Sequence, residues 1–399
     1  MEFEFQNNLK KLFGFHCDFE YPLCQSGMGI SLSGIDLSEE LKPDQVSFLL
    51  DCLSYYRILK IPNQNLEKFT LYDFENFSKY WGCPLPHPNN FLRGGKPGQS
   101  DGDSKGEYKI IPNNLRPYNL VNKVFPGKLK CLEHESPCIL VVSNFGKNST
   151  IDKVSTTPKI TSGGSWHTDI EYEKSPIHIS MFLVHKVPCL DEAGNKNWIE
   201  YENIDQNNNF PYFEGSSTEL MKLRKNLPLN GETAFADTAT AYNDLEQSEK
   251  DKLSKMMVRR RLNEKDEGWL APLVIENPRS GIKSLHSPIW ASRPNVRPPI
   301  VINGMSTEES RNYLDDLELH VLQKKFRYDN KHKSGDVLIW DNFMTLHNIP
   351  PLKVDIDNLR DARLLYRISC KGNPSLILPR KDSLNWIKEN ISGWELIYK

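Results

Sequence analysis

The chain predicts an α+β fold with a mainly β core: a double-stranded β-helix, or jelly roll, with flanking helices and inserted loops. Three observations predict it. Most β-rich runs lie between Cys138 and Ser369, helical apolar spacing flanks and interrupts them, and no internal repeat is evident. A sheet of short strands with helices outside it reads this way in sequence.

Taken in chain order, residues 44 to 56 and 65 to 80 place apolar side chains at helical spacing, which buries one face of each. Residues 243 to 257 do the same, with Asn243 or Asp244 as candidate cap and Leu245, Leu253 and Met256 facing inward. Ser306-Thr307-Glu308-Glu309 reads as a helix start, followed by Tyr313, Leu314 and Leu317. Near the end, Arg363-Leu364-Leu365-Tyr366-Arg367-Ile368-Ser369 is a period-2 strand that puts Arg363, Leu365, Arg367 and Ser369 on one face. Two guanidinium groups on an interior face need anionic company. Acidic side chains on a neighbouring strand would supply it, and so would a small anionic ligand gripped by a bidentate fork.

Trp166-His167-Thr168-Asp169 carries the chemistry. On an extended strand, residues two apart share a side, so His167 and Asp169 reach one ion while Thr168 points away. His347, in Thr345-Leu346-His347-Asn348, completes two imidazoles and a carboxylate. That donor set leaves one face of a divalent ion open, the pattern of non-haem Fe(II) oxygenases. A lone His-x-Asp is common and is more often a surface pair or a hydrogen-bonded core histidine. No His-Glu-x-x-His of a zinc hydrolase, no phosphate-binding Walker loop and no Gly-x-Gly-x-x-Gly turn is present.

Taken together, the ordered motifs resemble the taurine dioxygenase (TauD-like) family of Fe(II)- and 2-oxoglutarate-dependent oxygenases. The resemblance runs from Gly29–Leu37 and Arg57–Gln64, through Trp166–Asp169 and Asn230–Asp237, to Pro272–Val274 with Asn277-Pro278 and Gly281–Leu285. Gly335–Asn342, which leads into His347, and Arg363–Arg367 close it. It implies His167, Asp169 and His347 as the catalytic iron ligands, and Arg363 helped by Thr233 as the anchor for the distal carboxylate of 2-oxoglutarate. Arg367 matches the position that holds the substrate's acidic group, or it supports Arg363 instead. Glu232 stands where the family has aspartate. Related halogenases replace the carboxylate ligand with Gly or Ala, so Asp169 argues against halogenation. The expected cofactors are Fe(II), 2-oxoglutarate as cosubstrate, and O2. The expected reaction is oxidation of an unactivated C–H bond in a small organic acid or amino-acid-derived metabolite. Hydroxylation, desaturation and oxidative cyclisation need the same residues. The alternative is a non-catalytic metal- or ligand-binding jelly roll.

Fifty basic residues against 52 acidic ones leave no electrostatic footprint for nucleic acid, and Arg259-Arg260-Arg261 reads as a solvated helix end. The eight cysteines include no Cys-x-x-Cys pair and read as reduced thiols. No signal peptide opens the chain and no apolar run is long enough for a bilayer, which points to the cytoplasm and away from a membrane partner. An organellar address in a larger precursor stays open, and the chain is compatible with a homo-oligomer.

We expect one domain over residues 1–399, its core at about 25–373, with an insertion at about 189–229 and a C-terminal extension at about 376–399. The insertion's Phe210-Pro211-Tyr212-Phe213 suggests that it packs onto the body. The glycine-rich loop 94–106 reads either as a lid or as a disordered excursion. Substrate is expected to order one of these two segments. Among the other histidines, His178 and His185 read as packing or surface residues, and His286, at the end of the hairpin, is a candidate for substrate contact.

Overall fold

Alternating apolar residues on two sheets set the layers of this molecule. The computed structural model describes residues 2–87, 90–93, 96–97, 109–111, 127–129, 131–144, 159–171, 177–189, 197–201, 204, 212, 214–261, 267–290, 300–354, 356 and 358–371. The C-terminal extension at 376–399 and loop 94–106, apart from Lys96-Pro97, lie outside these residues.

Eight strands form the large sheet: β1 (Asp18–Glu20), β2 (Ile30–Ser33), β3 (Ile58–Ile61), β4 (Cys83–Pro84), β5 (Leu140–Ser143), β6 (Ile177–Lys186), β9 (Val337–Asp341) and β11 (Leu364–Lys371). A three-stranded sheet holds β7 (Thr233–Asp237) between β8 (Arg327–Asn330) and β10 (Thr345–Asn348). The large sheet runs β1-β2-β3-β9-β6-β11-β4, with β5 also paired to β11; β2 and β3 are parallel and the other pairs antiparallel.

Period-2 alternation sends Ile179, Met181, Leu183, Ile339, Leu364, Tyr366 and Ile368 to one face of the large sheet. There they meet Leu49, Leu50 and Leu53 of α2 (Pro43–Tyr56) and Phe74 and Phe77 of α3 (Leu71–Ser78), while Leu9 of α1 (Glu2–Phe13) closes the same cluster. The opposite face presents Ile58, Phe182, Val184, Leu338, Trp340 and Leu365, and Phe235 of β7 packs into it. The small sheet therefore lies across this inner face. Its own far side, Ala234, Ala236 and Leu346, is covered by Leu314, Leu317 and Val321.

The helical expectations hold with two adjustments. The second segment is shorter, Leu71–Ser78 followed by a 3-10 turn, because Thr70 caps it through the Asp73 N–H. The third shrinks to α6 (Gln247–Leu253), preceded by α5 (Thr238–Asp244) and α4 (Thr218–Lys225), and the arginine run read as a solvated helix end falls in the strand Met257–Arg260, with Arg260 buried. Neither Asn243 nor Asp244 caps α6, whose N-cap Glu246 makes no side-chain bond, while Asp237 caps α5 by accepting from the Thr240 N–H. The Ser306 start is a reciprocal capping box with Glu309 at the head of α7 (Thr307–Val321). Within the insertion, Tyr212 is fully buried and donates to Glu318, which also holds Arg224. No helix among the described residues is long and apolar enough to cross a membrane.

Candidate metal centre

β10 brings the distal histidine to the first motif. The His167 N–H donates to the His347 carbonyl at 3.1 Å, and the His347 N–H returns a bond to the His167 carbonyl at 2.9 Å. The motif is thus one isolated bridge, not the regular strand expected for it. The chain turns at Asp169, where Ile170 takes φ 49, a strained value for a β-branched side chain. Thr168 does point away, donating through Oγ1 to the Thr345 carbonyl.

The three ligating groups of His167, Asp169 and His347 lie within 4.8 Å of one another. His347 Nε2 is 3.5 Å and His167 Nε2 3.9 Å from Asp169 Oδ1. His167 donates through Nδ1 to the Ser165 carbonyl at 2.8 Å, which leaves Nε2 with a free lone pair aimed at the cluster. Among the described residues, neither ring nitrogen of buried His347 has a hydrogen-bond partner. Such an orphan is costly unless something binds it, so the donor set suits a divalent ion.

Asp169 Oδ2 accepts from Ser180 Oγ at 2.8 Å, and Ser180 accepts from Asn342, whose oxygen takes the Trp340 indole N–H. Arg367 also ion-pairs with Asp169 Oδ2, its guanidinium sitting near the Phe182 and Trp340 rings. Burial alone would raise the Asp169 carboxyl, but Arg367, His347 and His167 outweigh it and hold it well below the ordinary range. The carboxylate therefore stays ionised and ready to ligate.

The expected shared face of β11 forms: Arg367 meets Asp169, Ser369 meets Ser180, Leu365 enters the inner core, and Arg363 just precedes the strand. Arg363 is buried, and its Nε donates to the Gly231 carbonyl at 3.1 Å. Burial lowers its pKa to about 10, and no carboxylate is paired with it among the described residues. Thr233 opens β7 two residues past Gly231, whose φ of 79 favours glycine at that turn.

Sequence reasoning passed over four residues here. His87 is near enough for Arg367 and Asp169 to act on it. Burial, then Arg367, lower its pKa to about 4 against the opposing pull of Asp169. Ser180, Asn342 and His332 were likewise unmarked, and period-2 alternation along β6 would have placed Ser180 beside the site. His178 is buried and stacked on Phe343, a packing position in which its Nε2 also bonds to Asp341 at 3.0 Å. His286 is enclosed and set edge-on to Phe343, and no described contact joins it to the three ligand residues.

Comparison with known proteins agrees with this picture. Residues 216–359 match the model for the taurine catabolism dioxygenase TauD, TfdA family, a span that includes Thr233 and His347. The α-ketoglutarate-dependent 2,4-dichlorophenoxyacetate dioxygenase of Burkholderia sp. (strain RASC) is 27% identical over 177 residues, 40% of this chain and 54% of that protein. Pentalenolactone F synthase of Streptomyces arenae is 25% identical over 143 residues, 29% of this chain and 46% of that one. The chain thus spans about half the length of these curated relatives. A taurine dioxygenase structure from Burkholderia xenovorans superposes with a TM-score of 0.52 at 19% identity, over 89% of this chain and 91% of that one. AAD-2, solved with Mn(II) and N-oxalylglycine, gives 0.53 at 18% identity over 90% and 99%. At these identities the likeness is one of fold.

Proposed function

We propose that this chain, whose residues 216–359 match the TauD, TfdA dioxygenase family, is an Fe(II)- and 2-oxoglutarate-dependent oxygenase. Its named relatives support the reading, and one observation of the structure carries it. Arg363, a buried guanidinium with no carboxylate paired to it among the described residues, stands four residues before Arg367, which pairs with Asp169. An uncompensated buried cation costs several kcal/mol, and a carboxylate bound at Arg363 would remove that cost. The four residue steps from Arg363 to Arg367 span about 13 Å of extended chain.

His167, Asp169 and His347 hold the metal. When bound, iron(II) supplies oxygen activation coupled to decarboxylation of the oxoacid, leaving succinate, CO2 and one oxygen atom for the substrate carbon. Arg363 and Thr233 grip the far carboxylate and fix the oxoacid's direction. Ser180 and Asn342 fix the rotamer of Asp169. The substrate is a small organic acid, a sulfonate or an amino-acid derivative whose anionic group meets Arg367, with His87 beside it. In this reading the two sheets are the walls of a jelly roll, residues 1–399 form one decorated domain, and C–H oxidation is the reaction class.

Anaerobic addition of Fe(II) and then 2-oxoglutarate tests this directly. The weak visible charge-transfer band of the chelate should appear, and succinate should form in air when a suitable acid is added. No band, with metal bound, overturns the reading.

A further inference from the structure

His332 is partly buried beside Thr233, near enough for Arg363 to act on it. The Thr233 backbone N–H donates to its Nε2 at 3.2 Å, and the Thr233 hydroxyl lies 3.1 Å from the same nitrogen. Nε2 is therefore the acceptor, which leaves Nδ1 to carry the ring proton. The Asn330 side-chain amide lies 2.8 Å from Nδ1; with its oxygen turned to the Nδ1 proton, its nitrogen donates to the Tyr328 hydroxyl. Asn330 is also the cross-strand partner of Thr233. Burial first, then Arg363 and Lys60, keep the imidazole neutral.

We propose that His332 is a positioning residue that aims the Thr233 hydroxyl at the distal carboxylate of an oxodiacid, and so sets the preference for a five-carbon diacid over a shorter monoacid. The inference rests on the reading above. One lone pair cannot serve two donors well. With no carboxylate at Arg363, Nε2 draws both the N–H and the hydroxyl. When a carboxylate meets Arg363, the hydroxyl hydrogen turns to it, and the N–H alone holds Nε2 and keeps Oγ1 in place. A neutral ring does this without adding a second charge beside Arg363.

The test is calorimetric titration of Mn(II)-loaded protein with 2-oxoglutarate and with 2-oxobutanoate, which lacks the distal carboxylate. His332→Phe keeps ring volume and removes both nitrogens, and His332→Gln restores an acceptor. We expect His332→Phe to weaken 2-oxoglutarate binding about tenfold, equivalent to 1.4 kcal/mol, with 2-oxobutanoate unchanged. His332→Gln should recover most of the loss. If His332→Phe does not fold, Thr233→Val, which keeps the backbone N–H bond, must show the same selective loss. Equal weakening of both ligands, or none, overturns the inference while leaving the enzyme reading intact. Wild-type protein that binds the two ligands equally defeats both.

Discussion

Replacing Arg363 with methionine separates what the side chain does for a ligand from what it does to the fold. The fall of its pKa from 12.5 to about 10 is a bias of about 3 kcal/mol against the buried charge, at 1.36 kcal/mol for each tenfold change. Methionine also forfeits the bond to the Gly231 carbonyl, worth about 1 kcal/mol. The difference predicts that ligand-free Arg363→Met is more stable than wild type by about 2 kcal/mol, in the range seen when buried ions give way to apolar groups. Saturating 2-oxoglutarate should invert the order. At a hundred times Kd it adds about 2.7 kcal/mol to wild type and nothing to the variant. Urea unfolding of Mn(II)-loaded protein, with and without 2-oxoglutarate, reads both terms. A variant that is less stable without ligand, or that 2-oxoglutarate still stabilises, would refute the claim that Arg363 is an anion site held at the expense of the fold.

Four further outcomes follow from the same geometry. Asp169→Ala should abolish tight metal binding in equilibrium dialysis while preserving the far-ultraviolet dichroism spectrum; retained affinity would remove Asp169 from the ligand set. Arg367→Ala should weaken binding of the substrate acid with 2-oxoglutarate affinity nearly intact, and equal loss of both would reassign Arg367 to the cosubstrate. Ser180→Ala removes one donor to a buried carboxylate and should cost about 1–3 kcal/mol in unfolding free energy; a value near zero would mean that Asp169 does not depend on it. As for pH, His87 is less basic folded than unfolded, so the unfolded chain binds the proton first as pH drops. Its stability contribution is complete above about pH 6.5 and is lost progressively toward pH 4, at no more than about 1.4 kcal/mol per pH unit. His286 and His332 shift in the same direction. His87→Gln should flatten the urea midpoint between pH 7 and 5, and an unchanged slope would contradict the assignment.

The parts of the site that were legible in the sequence are those governed by local periodicity. The β11 alternation foretold which side Leu365, Arg367 and Ser369 face, and the three side chains that cluster at the candidate metal centre were readable from spacing and resemblance. His332, Asn342 and His87 were not readable, because each acquires its role from a partner on another element: Thr233 lies 99 residues from His332, and Asn342 lies 162 from Ser180. Sequence distance hides such pairs. The α5 helix and its cap went unread for a related reason. Asp237 ends a fully buried strand and caps the next helix at once, and nothing in the 243–257 periodicity marks that double duty. The bridge at His167 also escaped notice, since one residue is too short to carry a pattern.

That bridge has a thermodynamic corollary. His167 and His347 are sewn together by their own main chains, so the 180-residue loop between them is closed before any ion arrives. Closing such a loop costs about 5 kcal/mol of chain entropy, and an incoming cation inherits it already settled. Chelators should accordingly strip the centre without melting the protein, and reloading should be limited by encounter with the ion rather than by refolding.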